Sequence, residues 1–264
     1  MKNKINRDLL ELASEIGGGN KNLVILAEGN ISGKIDNKTF FVKASGTKLG
    51  SLSESGIVEA KFDSVLEMIN HDYNQEQIEK ILLDSRTNKN DLKPSVETMF
   101  HAWLLQQENI NFVCHTHPLN VNKILCSKVA ENFAYKRLFP DQIVYCGPKS
   151  LLIEYHDPGL ELTKKIKDGW INFVQNNHYA PKLILMKNHG LITVGPTKES
   201  VLATTLMAEK SAAIFLGSII GDGPVFMPDD QVIYMYNRLD QNYRRKLLKI
   251  QSESFENIKE SNGA

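Results

Sequence analysis

Cysteine is scarce in this chain: Cys114, Cys126 and Cys146 are the only three in 264 residues, with no C-x-x-C spacing. An odd number so spaced fits neither a disulfide framework nor an all-cysteine zinc site, and a reducing compartment is the expected setting. Net charge is lacking as well, because Lys plus Arg equals Asp plus Glu at 31 each. No global field therefore favours nucleic acid or an anionic membrane, although a local anion site stays open. No uninterrupted apolar run approaches the ~18 residues of a membrane span. The basic start Met1-Lys2-Asn3-Lys4 runs into Arg7, Asp8 and Glu11 rather than an apolar stretch, so no signal peptide is expected. The expectation is a cytoplasmic protein with neither nucleic-acid nor membrane partners. Repeats and low-complexity blocks are also missing.

What is present is ordinary globular material, 42% hydrophobic and 23% charged, enough for a sizeable core. Ile5, Leu9, Leu12 and Ile16 form one helical stripe that Gly17-Gly18-Gly19 stops, which predicts an opening helix. Runs 31–35 and 39–42 read as a β-hairpin. The turn Ala27-Glu28-Gly29-Asn30 precedes it and Ala44-Ser45-Gly46-Thr47-Lys48 follows it. The polar stretch 84–93 is the best linker candidate. Beyond Pro94, residues Val96, Met99, Phe100, Trp103 and Leu104 fall at helical spacing with Ser95 as N-cap. Strands are expected over 110–114, 143–145, 183–186 and 191–194. Helices are expected from Asp157-Pro158 to about 176, over 198–219, and over 231–239 and 241–250, with a tail from about 251 to 264 that should fray. Strands and helices alternate without a clear boundary, so the pattern favours one α/β domain.

Histidine supplies the first chemical signal. His115 and His117 form an H-x-H pair at the end of a predicted strand, where side chains at i and i+2 point to one side. His189 precedes Gly190 in a separate strand-turn-strand unit and could reach the same point. Three imidazoles with an open position make a zinc site of catalytic type. An isolated H-x-H pair is more often structural, and the third histidine brings the two readings level.

Glu97 lies in the first turn of the helix predicted after Ser95, where an acid ordinarily complements the helix dipole. The functional alternative is a carboxylate that ligates a metal or moves aside as general acid and base. His101, one turn later, could orient it or be a satisfied core histidine. Three small polar turns, Gly29-Asn30, Ser45-Gly46 and Pro94-Ser95, could together hold a phosphate, though each alone is a turn signal.

In their order along the chain, Glu28-Gly29-Asn30-Ile31-Ser32, Ala44-Ser45-Gly46-Thr47, Pro94-Ser95-Val96-Glu97, His115-Thr116-His117-Pro118 and Asn188-His189-Gly190-Leu191-Ile192 resemble the class II aldolase/adducin family. The likeness is greatest to its fuculose-1-phosphate and rhamnulose-1-phosphate aldolases and spans most of the chain. The resemblance implies a single three-layer α/β/α domain over 1–264 with a central, mainly antiparallel sheet. It implies zinc, or another divalent metal, on His115, His117 and His189, with Glu97 as catalytic carboxylate. It also implies a phosphate site at Gly29, Asn30, Ser45, Gly46 and Ser95. Fuculose-phosphate aldolases have a second serine where this chain has Val96, and Arg86 or Lys48 are candidate cations to compensate. The implied reaction cleaves a ketose 1-phosphate to dihydroxyacetone phosphate and an aldehyde through a metal-stabilised enediolate. The family also holds 4-epimerases, whose matching carboxylate is Asp, together with dehydratases, decarboxylases and non-enzymatic adducin-like modules. Its members are often tetramers, so a homo-oligomer is expected. A tyrosine that protonates the departing aldehyde would be among Tyr135, Tyr145, Tyr234 and Tyr236.

Overall fold

Burial of the strands from both sides and of one stripe per helix organises the chain in a computed structural model that describes residues 1–250; the tail expected to fray lies outside the described residues. In chain order the elements are α1 (Lys2–Gly17), β1 (Asn30–Lys34), β2 (Thr39–Lys43), β3 (Ile57–Lys61), α2 (Phe62–Glu67), α3 (Gln75–Asp84), α4 (Thr98–Leu104), β4 (Phe112–Thr116), α5 (Leu119–Leu125), α6 (Ala130–Tyr135), α7 (Pro140–Cys146), β5 (Leu151–Ile153), α8 (Leu160–Asn177), β6 (Leu183–Met186), β7 (Gly190–Gly195), α9 (Lys198–Ile220), α10 (Asp229–Asn237) and α11 (Leu239–Leu247). The seven strands form one sheet in the order β3-β2-β1-β4-β7-β6-β5. Every pairing is antiparallel except β5 with β6.

Helices cover both faces, which gives the three-layer α/β/α architecture. One face packs Phe40, Val42, Val113, Ile184 and Ile192 against α2, α4 and α8 through Phe62, Phe100 and Trp170. On the other, α1 contributes Leu9 and Leu12 over Ile31 and Cys114, while α5, α6 and α9 cover Leu185 and Leu191. Strand β4 is therefore buried along its whole length, as an interior strand with two covered faces must be. Among the described residues α9 alone is long and apolar enough to cross a membrane by composition. Its Val201, Thr205, Ala208, Ala212 and Phe215 are buried in the fold, and the helix packs on β4 and β7.

The opening helix, the hairpin, β6, β7 and α9 lie where the periodicity puts them. Residues 143–145, read as a strand, belong to α7. Pro140 stands at its first turn, where the fixed φ favours a helix, and Ile143, Val144 and Cys146 are buried on one side. Helix α8 begins later than Asp157-Pro158 because Gly159 at φ 129° intervenes, and the Asp157 carboxylate accepts from the Tyr155 hydroxyl instead of capping. The stretch 84–93 is no linker: Lys61 N–H donates to Ser85 O, and Thr87 N–H to Glu59 O, so it edges the sheet beside β3. Helix α4 starts at Thr98, with Glu97 in the N-cap position, two residues later than a Ser95 cap would place it.

Candidate metal centre

Register brings the histidines together. Asn30 of β1 pairs with His115 of β4, and His115 in turn pairs with Ile192 of β7. His117 follows the end of β4, and His189 sits in the β6–β7 turn, where Asn188 takes the left-handed φ of 56°. Two glycines permit the approach. A Cβ on Gly190 would stand 2.6 Å from Thr116 O and 2.7 Å from His117 Cδ2; one on Gly29 would stand 2.6 Å from His115 O. Both separations are far inside van der Waals contact.

The ring centroids of His115, His117 and His189 lie 4.7, 4.9 and 5.2 Å apart in pairs. One nitrogen from each falls within 4.8 Å of the others. His115 Nδ1–H donates to Leu191 O at 2.8 Å. That bond fixes the tautomer, so Nε2 presents its lone pair to the cluster, 3.0 Å from His117 Nε2. Burial, as the largest influence, pulls the His115 pKa down and holds that of His117 at about 4. Both rings are thus neutral at pH 7, the form that binds metals.

Glu97 occupies the same focus from α4. Its Oε1 lies 3.3 Å from His189 Nε2 and 3.5 Å from His115 Nε2. Its Oε2 accepts from Asn30 Nδ2 at 2.6 Å. Because that amide donates to the carboxylate, Asn30 Oδ1 faces His101 Nε2, which must donate to it. His101 Nδ1 then accepts from the Ser32 hydroxyl at 2.6 Å. Burial, the largest influence, pushes the Glu97 pKa up, but the positive charge that the facing imidazoles of His115 and His189 carry when protonated at low pH, with hydrogen bonds from His189 and the Asn30 amide, outweighs it, so the carboxyl stays below its ordinary range. His101 is fully buried and held at about 3, hence neutral. The helix-dipole reading of Glu97 gives way, since both carboxylate oxygens point into the histidine focus and the Asn30 amide.

These residues fit a divalent metal. The His115 Nε2 lone pair and a Glu97 oxygen, both acceptors, confront each other 3.5 Å apart in a buried site, an arrangement that a cation between them satisfies. His189 Nδ1 is buried without a hydrogen-bond partner among the described residues. Three imidazoles and a carboxylate form a donor set suited to zinc and its neighbours.

The turns expected to hold phosphate converge in part. Ala44 bridges Pro94, which sets Ser45-Gly46 beside Ser95. Ser45 N–H is already committed to Lys93 O, leaving its hydroxyl, while Gly46 takes φ 76°. Ser95 Oγ accepts from Glu97 N–H at 3.3 Å. Asn30 is buried, its amide engaged with Glu97 and His101. Val96 packs on the core, which accounts for an apolar residue there. Arg86 is turned away: its guanidinium donates to Leu83 O and Asp91 O.

The cation that sequence reasoning missed is Lys43 at the end of β2. It is 2% exposed and donates to Thr47 O at 2.6 Å, beneath the Ser45-Gly46 turn. Burial lowers its pKa to about 8, opposed by the charge of Glu97. Its only sequence signal was a lysine in phase with the buried residues of an apolar strand. Glu28 is a second addition, with Oε1 3.7 Å from His117 Nδ1. Of the candidate tyrosines, Tyr145 and Tyr236 meet Arg244 and Arg245, while Tyr135 and Tyr234 are exposed.

Comparison with known proteins gives a consistent picture. The sequence profile of the class II aldolase and adducin N-terminal domain matches residues 7–216. An uncharacterized oxidoreductase of Bacillus subtilis, YuxG, is 28% identical over 222 residues, 81% of this chain; the chain spans only 30% of that relative's length. The 3-oxo-tetronate 4-phosphate decarboxylase of Haemophilus influenzae is 24% identical over 237 residues, covering 89% of this chain and 94% of its own. A solved L-fuculose 1-phosphate aldolase shares the fold with a TM-score of 0.67 at 16% identity, over 88% of this chain and 94% of its own.

Proposed function

Because the chain belongs to the class II aldolase and adducin family, we propose that it is a metal-dependent aldolase acting on a ketose 1-phosphate, with release of dihydroxyacetone phosphate and an aldehyde. The observation that carries this reading is the shared focus of Glu97 Oε1 and the ring nitrogens of His115 and His189, with His117 beside them. His115, His117 and His189 would hold the cation, zinc by the chemistry of the donors. When bound it supplies Lewis-acid polarisation of a substrate oxygen.

The remaining chemistry belongs to the chain. The Ser45 and Ser95 hydroxyls and the positive charge of Lys43 bind the substrate phosphate and fix the reacting carbons. Lys43 also holds the Ser45-Gly46 turn in place through Thr47 O. Glu97 Oε1 takes the proton from the substrate hydroxyl that becomes the aldehyde carbonyl as the C–C bond breaks and delivers it to the carbon so freed, with both transfers reversed in the condensing direction. Asn30 keeps Oε2 engaged, so Oε1 is the oxygen that works. A glutamate rather than an aspartate at this position supports the aldolase over the epimerase reading. The proposed assembly is a cytoplasmic homotetramer, its state measurable by light scattering.

A second reading is favoured by the match to the Haemophilus decarboxylase along nearly its whole length. There the same residues would serve loss of carbon dioxide from a 3-oxo acid phosphate. The deciding experiment incubates the metal-loaded protein with ketose 1-phosphates and with a 3-oxo acid phosphate, with and without chelator. Chelator-sensitive release of dihydroxyacetone phosphate supports the aldolase, and release of carbon dioxide supports the decarboxylase. Turnover that survives full metal removal would refute both.

A further inference from the structure

We infer that Glu209, on α9, is a positioning residue for the histidine focus and acts through the short helix α5. The inference rests on the metal reading above.

Helix α5 begins directly after His117-Pro118, and its N-cap, Pro118, offers no side-chain cap. The first N–H groups of a helix lack intrahelical partners. Here a carboxylate distant in sequence supplies them. Asn120 N–H meets Glu209 Oε1 and Oε2 at 3.2 and 3.1 Å, Val121 N–H meets Oε2 at 3.2 Å, and Asn120 Nδ2 donates to Oε1 at 2.7 Å. The other end of α5 grips the second ligand segment. Asn122 Nδ2 donates to His189 O at 3.0 Å, and Asn188 N–H donates to Leu125 O at 3.2 Å.

Helix α5 is thus a brace between His117 at its start and the Asn188-His189 turn beside its end. Glu209 clips that brace to α9, which is itself tied to the sheet where Thr205 Oγ1 meets Thr193 Oγ1 at 2.9 Å. A cap that served only the helix would contribute stability and nothing to the metal. A cap on the brace sets the separation of two ligands, and outer partners of this kind typically govern affinity by ~10–100-fold.

Cobalt(II) is the probe, because its visible absorption reports ligand geometry as well as affinity. Glu209→Gln keeps the side-chain volume but replaces an acceptor oxygen with an NH₂ group that cannot accept from the α5 N–H groups. The expected result is cobalt(II) binding weakened ~10–100-fold with an altered spectrum. Asn74→Ala, which removes the side-chain cap of α3, is expected to leave both unchanged. Affinity and spectrum equal to those of the unsubstituted protein in Glu209→Gln would overturn the inference. Should that variant fail to fold, Asn122→Ala decides by the same readout, and unchanged binding there overturns it. If the unsubstituted protein takes up no cobalt(II), the metal reading itself fails and the brace falls with it.

Discussion

The side-chain amide of Asn30 donates to Glu97 Oε2 at 2.6 Å, so the strand that supplies a glycine turn also aims the carboxylate of α4. Asn30 does not choose this orientation alone. Ser32 donates to His101, and His101 donates to Asn30 Oδ1, which forces the amide NH₂ toward Glu97. His101→Phe would preserve the ring volume but leave Asn30 Oδ1 unpartnered and free the amide to turn. The expected outcome is full metal content with turnover reduced roughly 10–100-fold, the scale of lost outer partners. The acid limb of the pH–rate profile should also move upward, because a carboxylate that loses a hydrogen bond to its charged form gains a higher pKa. An unmoved acid limb would remove His101 from this role.

Glu97 and His117 should separate cleanly. Glu97→Gln keeps an oxygen for the Asn30 amide, puts its NH₂ where Oε1 stood and leaves three imidazoles in place, so metal content should persist while turnover falls by ~10²–10⁴ as a general base is lost. His117→Ala should lose metal. Elemental analysis of both variants, beside an assay for dihydroxyacetone phosphate, checks the division; full zinc retention in His117→Ala would count against its place as a ligand.

Much of this site was legible in the sequence because the parts that meet at the histidine focus are local motifs. An H-x-H pair at the end of one strand and a histidine before glycine in a tight turn carry their geometry with them. The chain from Ser32 through His101 and Asn30 to Glu97 does not, since it spans β1 and α4, elements far apart in sequence. Only packing across the sheet unites them. Lys43 was hidden differently: a lysine closing an apolar strand reads as the strand meeting solvent, yet it is buried and its ammonium is held by the neighbouring turn through Thr47 O. In the fold, α7 was misread because Ile143, Val144 and Tyr145 have β-branched and aromatic character. Pro140 and the buried helical face overrode that preference.

Gly190→Ala should be damaging beyond its size. The added Cβ would meet Thr116 O at 2.6 Å and His117 Cδ2 at 2.7 Å, and both neighbours are held by β4 and by α5. Overpacking of this kind typically costs about 1–3 kcal/mol. It should appear as a lower melting temperature of the metal-free protein, together with weaker zinc uptake because His117 is displaced. Gly46→Ala is the contrast, since nothing lies within 4 Å of a Cβ there. It should keep zinc binding and lose stability only through its φ of 76°.

Lys43 predicts a pH dependence of anion binding with a definite sign. Its pKa is lowered from 10.5 to about 8, chiefly by burial, so the side chain is charged below that pH and neutral above it. Sulfate remains a dianion throughout this range and isolates the protein's own titration. Its inhibition constant should be flat below pH 8 and rise above it as the ammonium is lost. Stability should move opposite to sulfate affinity. Between pH 8 and 10.5 the unfolded chain binds the Lys43 proton and the folded one does not, so stability gains with pH across that window through this group. Lys43→Met should bind sulfate weakly at every pH and abolish the alkaline rise, while melting no earlier than the parent, because it removes a buried charge from an apolar strand. If the alkaline rise persisted unchanged in Lys43→Met, another cation would have to be the one that meets the phosphate.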